Sequence, residues 1–281
     1  MDDDFMDQDL IETPMPQDIS GDDEDSLETV PVPRSLVPHL SKSAILLDID
    51  GTLLDLAPTP REVWVPPGLA KTLERLHQRT GGALALVSGR SLNDIDLIFA
   101  PEQFPAVGGH GAEMRVSIDS ESVAVHAPPL DKELKRRIAA IAKLSPGILL
   151  EDKGYSLALH YRLAPHAEKA IYAAVSLIRA DLPNAPIEVL PGKCVCEIKH
   201  SGFTKATGVL ELMTHEPFKG RHPLFIGDDV TDESVFAIMP DLRGLAFSVG
   251  RRAKGVAGHF DEPSDVRAWL AHLLDDEKAQ A

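Results

Sequence analysis

Two aspartates interrupt the stretch AILLDIDGTLLDL at residues 44–56. Asp48 directly follows four apolar residues, and Asp50 comes two positions later, before Gly51 and Thr52. Residues two apart on an extended backbone share a side, so both carboxylates can point into one small space while Ile49 packs away. Two further apolar runs end in polar residues. GGALALVSGR ends in Ser88-Gly89-Arg90, and HPLFIGDD ends in Gly227-Asp228-Asp229, with Asp232 and Glu233 just beyond. One Asp after a strand is usually a helix cap or a turn residue. Four carboxylates gathered at one edge are harder to explain that way, because uncompensated they repel and raise one another's pKa values. A hard divalent cation held by oxygen ligands relieves this, and octahedral Mg²⁺ suits one to three carboxylates plus waters and phosphate.

Such side chains need rigid elements behind them. Residues 43–50 and the run GGALALV read as buried strands. Leu69, Leu73 and Leu76, after a Pro-Pro start, predict a helix over 67–79, and SLNDIDLIF opens another with Ser91 as its N-cap. The alternation resumes with TKATGVLELMTH as helix, HPLFIGDD as strand, TDESVFAIM as helix, GLAFSVG as strand and PSDVRAWLAHLL as helix. Strand-helix alternation predicts an α/β class: a Rossmann-like, doubly wound parallel sheet with helices on both faces. Ligands of such sheets bind outside the carboxyl ends of the strands, where the polar residues fall. Between the halves the pattern changes. DKELKRRIAAIAKL and PHAEKAIYAAVSLIRADL read as helices. Each precedes a strand pair, GILLED with YSLALHYR around Lys153-Gly154, and IEVL with KCVCEIK around Pro191-Gly192. This predicts an inserted α+β module at 128–199, leaving 36–127 and 200–281 as the core.

Composition sets limits on partners. The chain has 281 residues, 43% hydrophobic and 26% charged, with mean hydropathy −0.07, the profile of a soluble globular protein. No apolar run approaches the ~20 residues a membrane helix needs. The net charge is −16, yet twelve acids and no Lys or Arg lie within residues 1–30, so the rest is close to neutral. Residues 1–35 are expected to form a disordered acidic tail. No Lys/Arg-rich stripe suggests nucleic acid, and the N-terminus lacks the basic and apolar regions of a secretory signal, so a cytoplasmic monomer is expected. Cys194 and Cys196 fit two reduced thiols.

The motifs DIDGT, Ser88, Lys205 and GDDVTDE occur in the order, and at the element ends, that resemble the haloacid dehalogenase superfamily of phosphohydrolases. The resemblance implies Asp48 as nucleophile, forming an aspartyl-phosphate. It implies Asp50 as the acid that protonates the leaving alcohol and then the base that activates water. Thr52, Ser88 and Lys205 would hold the phosphoryl oxygens. Mg²⁺ would sit between Asp48, the Asp50 carbonyl and Asp228, with Asp229 or Asp232 in support. The family often has Gly after the motif Lys, whereas Ala206 stands here; Lys199 is the other lysine able to fill that place.

The inserted module stands where that superfamily carries a substrate-selecting cap. Alternation puts Lys193, Val195, Glu197 and Lys199 on one face of KCVCEIK, and Ser156, Ala158, His160 and Arg162 on one face of YSLALHYR. Charged faces are often only solvated, but a polyhydroxylated substrate also calls for carboxylates and charged donors. GGHGAE, EDKGYSLALHYR, GKCVCEIK and GDDVTDE resemble trehalose-6-phosphate phosphatases. That resemblance implies substrate contacts from Glu151, Lys153, Arg162, Lys193 and Glu197 on the cap. From the core it implies Arg90, His110, Gly111 and Glu113. His110 lies between Gly109 and Gly111, where backbone approaches closely, which favours a site. The rival readings are a sucrose-phosphate or mannosyl-phosphoglycerate phosphatase, a phosphomutase, or a non-catalytic sugar-phosphate sensor. The last would be expected to lose Asp48 and Asp50, and both are present.

Overall fold

The computed structural model describes residues 31–276 except 33–35, 37, 58–61, 119–123, 126 and 193. The acidic segment 1–30, on which most of the expected tail falls, lies outside the described residues. The elements run β1 (Ser43–Leu47), α1 (Leu69–Arg79), β2 (Leu84–Val87), α2 (Leu92–Phe99), β3 (Ala106–Gly108), β4 (Glu113–Arg115) and β5 (Ala124–Val125). Then come α3 (Lys132–Ile141), β6 (Leu149–Asp152), β7 (Ser156–His160), α4 (Glu168–Asp181), β8 (Ile187–Gly192) and β9 (Val195–His200). The chain closes with α5 (Lys205–Leu212), β10 (His222–Gly227), α6 (Glu233–Ile238), β11 (Leu245–Val249), β12 (Gly258–Phe260) and α7 (Pro263–Asp276).

The larger sheet has eight strands in the order β12-β11-β10-β1-β2-β3-β4-β5. It is parallel from β12 to β3, with β4 and β5 antiparallel at one edge. Every residue of β1 is buried, as expected of a strand covered on both faces. Ile45 and Leu47 join Leu69, Leu73 and Leu76 of α1, Ile95 of α2 and Leu270 of α7 in one core. Ala44 and Leu46 pack on the opposite side with Val209 of α5 and Phe236 of α6. Truncating one of these, such as Leu73→Ala, costs about 2–5 kcal/mol. Among the described residues no helix is long and apolar enough to cross a membrane.

The smaller sheet is antiparallel, in the order β6-β7-β9-β8. Leu157, Leu159, Cys196 and Ile198 bury one face against Leu134 and Ile138 of α3 and Ile171 and Val175 of α4. Pairing in register puts Glu151, Ala158 and Glu197 side by side on the other face. The reversal between β8 and β9 falls later than the expected Pro191-Gly192. Those two residues pair with Cys196 and Val195, and Cys194 takes φ 60 in the turn. Pro191 is tolerated within β8 because β8 is an edge strand and needs no donor there. Both cysteines are free, and burial pushes the Cys196 thiol up to about 11.

Pro31 bridges His259 of β12, and the Val32 N–H donates to the His259 carbonyl at 3.0 Å. Four short strands, β3, β4, β5 and β12, were not foreseen, because two or three residues carry no readable alternation.

Candidate active site

The sheet continues one residue past β1, with the Asp48 N–H donating to the Ile226 carbonyl at 2.9 Å. The chain then turns, and the Gly51 N–H donates to the Leu54 carbonyl at 2.7 Å. Gly51 sits at φ +80, and a Cβ there would lie 2.0 Å from Oδ2 of Asp228. Only glycine permits both that turn and that approach. This is the local reason for the Gly in DIDGT: it brings the end of β10 against the end of β1.

Lys205 opens α5, whose N-terminus is capped by Thr204 through a reciprocal pair of hydrogen bonds with Thr207. Its Nζ donates to Oδ1 of Asp48 at 2.8 Å and to Oδ1 of Asp232 at 2.7 Å. All three side chains are buried. Oδ2 of Asp232 accepts the N–H groups of Asp228 and Asp229, each at 3.0 Å, so Asp232 ties Lys205 to the turn after β10. Carboxylate oxygens of Asp48, Asp228 and Asp232 lie within 4.8 Å of one another. Burial, and then the neighbouring Asp232 and Asp228 charges, hold the Asp48 carboxyl well above its usual range despite Lys205. Burial and Asp232 push Asp228 up to about 6. Burial opposes the charge on Lys205, but Asp232 and Asp48 outweigh it and raise its pKa.

Three carboxylates around one ammonium leave a surplus of two negative charges, the charge of one divalent cation. The oxygen-only donor set is the kind Mg²⁺ takes. Asp229 stands outside this cluster. It is exposed, and its carboxylate caps the turn by accepting the Val230 N–H at 2.5 Å. Of the two residues considered for support, Asp232 and not Asp229 has a carboxylate oxygen in the cluster with Asp48 and Asp228. Lys199, the other lysine considered for the motif, is buried at the end of β9. Its Nζ binds Oε2 of Glu188 at 2.9 Å and the Phe203 carbonyl at 2.5 Å. Lys205 alone of the two contacts Asp48.

Asp50 faces Arg90, which donates from Nε at 2.5 Å and from Nη2 at 2.6 Å, a bidentate clamp. Oγ of Ser88 accepts the Arg90 N–H at 3.2 Å. Thr52 is buried and donates to Oδ1 of Asp228 at 3.4 Å.

The loop after β3 carries His110 at φ 54, a left-handed conformation strained for a non-glycine residue. Burial comes first, and the charges of Lys205, Lys199 and Lys153 next, in lowering the His110 pKa to about 3. Gly111 packs on the backbone of Thr204, where a Cβ would lie 2.2 Å from the carbonyl oxygen. Oε2 of Glu113 accepts the Leu92 N–H at 2.7 Å. Glu197 reaches this loop from β9. Its carboxylate accepts from the Ser156 hydroxyl at 2.8 Å and lies 4.0 Å from both His110 Nε2 and Lys153 Nζ. The structure thus gathers His110, Lys153 and Glu197. Glu151 shares the sheet face of Glu197 and pairs with His160 at 2.9 Å, and Arg162 is exposed beyond β7. Lys193 lies outside the described residues.

Arg251 went unnoticed in the sequence. Its Nε donates to the Asp228 carbonyl at 2.6 Å and its Nη2 to the Asp229 carbonyl at 3.0 Å, while Nη1 binds Glu233 at 2.7 Å. The available signal was its place, just after GLAFSVG, at the same strand edge as the aspartates.

Known proteins resemble this chain in sequence and in fold. A family model described as trehalose-phosphatase matches residues 46–263. The trehalose-6-phosphate phosphatase of Escherichia coli is 38% identical over 240 residues, covering 85% of this chain and 89% of that protein. A probable trehalose-phosphate phosphatase of Sinorhizobium fredii is 41% identical over 243 residues, covering 85% of this chain and 90% of that one. In fold, the C-terminal domain of the C. albicans trehalose-6-phosphate phosphatase superimposes with a TM-score of 0.73 at 21% identity, covering 88% of this chain and 98% of that one. With a family model spanning both halves of the core and the module between them, the chain belongs to the trehalose-phosphatase family.

Proposed function

We propose that this protein hydrolyses trehalose 6-phosphate to trehalose and phosphate through an aspartyl-phosphate on Asp48. The observation that carries the reading is the buried Asp48 carboxylate held against Lys205 beside Asp228 and Asp232. Residues 36–127 and 200–281 form the catalytic core, and 128–199 form a cap that presents Glu197 and Lys153 to it.

In the first step Asp48 attacks phosphorus, the bond to the sugar O6 breaks, and Asp50 gives that oxygen a proton. In the second, Asp50 takes a proton from water, which attacks the phosphoryl group and frees Asp48. Arg90 fixes the direction of the Asp50 carboxyl through its two hydrogen bonds. An ammonium has three donors, and Lys205 spends two on Asp48 and Asp232, leaving one for a phosphoryl oxygen. Thr52 and Ser88 supply hydroxyl donors at the same edge. Asp48 and Asp228 would hold a divalent cation such as Mg²⁺, which when bound would offset charge on the transferring oxygens, and Asp232 fixes the turn after β10 and Lys205 beside them. Glu197, Lys153 and His110 bind the sugar at the cap–core junction. Glu113 and Gly111 shape that side of the pocket.

The test is phosphate release from a panel of sugar phosphates, with Mg²⁺ and after exhaustive chelation. Trehalose 6-phosphate should turn over far faster than glucose 6-phosphate or sucrose 6-phosphate, and only with the metal. Equal rates across the panel, or full activity after chelation, would sink the reading.

A further inference from the structure

We propose that Tyr155 is a specificity-determining residue whose phenolic hydroxyl hydrogen-bonds a hydroxyl of the glucose unit that carries no phosphate. The inference rests on the trehalose 6-phosphate reading above. Tyr155 lies in the turn between β6 and β7 of the cap, yet its ring packs against the core. A Cβ on Gly109 would fall 2.4 Å from the phenolic oxygen, so the hydroxyl lies directly over the backbone of the His110 loop. The residue is 4% exposed and clusters with Ala112 and Ala127 of the core and Phe203 of the connection back to α5.

Its hydroxyl is buried and makes no hydrogen bond of full geometry among the described residues, the Glu113 carboxylate lying close enough only to draw on it. Nδ1 of the neighbouring His110 is also buried and has no hydrogen-bond partner among the described residues. A buried tyrosine normally places its hydroxyl on a partner, since an unpaired one forfeits its bond to water. Two orphaned polar atoms on the two sides of one cap–core seam point to a polar group that enters there. Burial, then the charge and hydrogen-bonding pull of the Glu113 carboxylate, and then the charge of Glu197, raise the pKa of the phenol, which keeps it neutral with an oxygen free to accept. Those carboxylates repel an anion, so the matching ligand is an uncharged polyol, able to donate to them and to the Tyr155 oxygen.

Tyr155→Phe keeps the ring and its apolar contacts and removes only the hydroxyl. Steady-state kinetics of the full chain with Mg²⁺ should show KM for trehalose 6-phosphate rising about tenfold with kcat little changed, the size expected for one lost neutral hydrogen bond. The loss should be smaller for nitrophenyl phosphate, which has no second sugar. Among monodeoxy trehalose 6-phosphates, one should be as poor a substrate for wild type as the parent is for the variant. The variant should not distinguish that analogue from the parent. Unchanged trehalose 6-phosphate kinetics, or equal losses on both esters, would show that the hydroxyl does not touch substrate and would overturn the inference. Wild-type protein inert toward trehalose 6-phosphate would overturn the reading beneath it as well, so the two failures are told apart.

Discussion

Asp232 offers the sharpest test of the carboxylate cluster. Its two oxygens accept three hydrogen bonds, from Lys205 Nζ at 2.7 Å and from the N–H groups of Asp228 and Asp229 at 3.0 Å each. Asn has one acceptor oxygen, so Asp232→Asn must turn its amide donors either toward the ammonium or toward the two N–H groups. At least one charge-assisted bond is lost and one donor–donor clash created. Each lost bond to a charged group is worth about 1.5–3 kcal/mol. Removing the charge also relieves repulsion with Asp48 and Asp228, so the assay belongs in excess Mg²⁺, where the cation already offsets that repulsion. The expected net loss is about 3 kcal/mol, or a fall in Tm of about 6–12 °C for a chain of this size. Asp229→Asn is the control. Its side chain is exposed and caps a turn, a role Asn fills about as well. Thermal unfolding and phosphate release are measured on both variants. Asp232→Asn should lose stability and most activity, and Asp229→Asn should lose little of either. Equal effects in the two, or wild-type behaviour of Asp232→Asn, would refute the assignment of Asp232 to the cluster.

Asp48→Asn should abolish turnover without destabilising the metal-free protein, because burial and two nearby carboxylates already disfavour its charge and the amide oxygen still accepts from Lys205; steady phosphate release above the uncatalysed control would rule out Asp48 as nucleophile. Glu197→Ala should lower kcat/KM for trehalose 6-phosphate by roughly ten- to a hundredfold, the value of one or more lost charged hydrogen bonds, while nitrophenyl phosphate loses much less. Equal losses on both would make Glu197 structural. His110 has a folded pKa of about 3, below its unfolded value near 6.5, so its contribution is complete above about pH 6.5 and is lost as pH falls toward 3. Urea unfolding at pH 6.5 and pH 4 should therefore show a steeper acid loss in wild type than in His110→Gln, by at most about 3 kcal/mol; parallel curves would contradict the buried neutral histidine.

The long elements were legible because their patterns repeat. β1, β2, β10 and β11 are apolar runs ending in polar residues, and α1 spaces Leu69, Leu73 and Leu76 onto one buried face. Ser91 caps α2 as its type and place suggested, accepting the Asp94 N–H at 3.2 Å. The short strands β3, β4, β5 and β12 were invisible because their two or three residues gain their geometry from the neighbouring strand, not from their own alternation. In the site, order along the chain could bring Asp228, Asp229 and Asp232 to one edge but could not rank them. That ranking is set by the tight turn after β10, where Asp232 folds back onto the N–H groups of Asp228 and Asp229 and thereby leaves Asp229 outside. Arg251 escaped notice for a related reason. Its partners are backbone carbonyls, which leave no trace in residue type.

On the function proposed above, the run from Glu197 to Lys205 joins a sugar contact to the catalytic lysine within nine residues of chain. Glu197 faces the His110 loop from the cap, Lys199 two residues on is buried against the Phe203 carbonyl, and Lys205 begins the helix that holds Asp48. Lys199 also binds Glu188 of β8, so the last strand pair of the cap and the connection into the core are fastened by one ammonium. Lys199 is the buried partner of that pair, so removing Glu188 would leave its ammonium with only backbone carbonyls to compensate it. Glu197 and the residues leading into α5 thus lie on one fastened segment. On the function proposed above, binding energy from the distant sugar would act on kcat as well as KM, so Glu197→Ala should lower kcat for trehalose 6-phosphate and not only raise its KM.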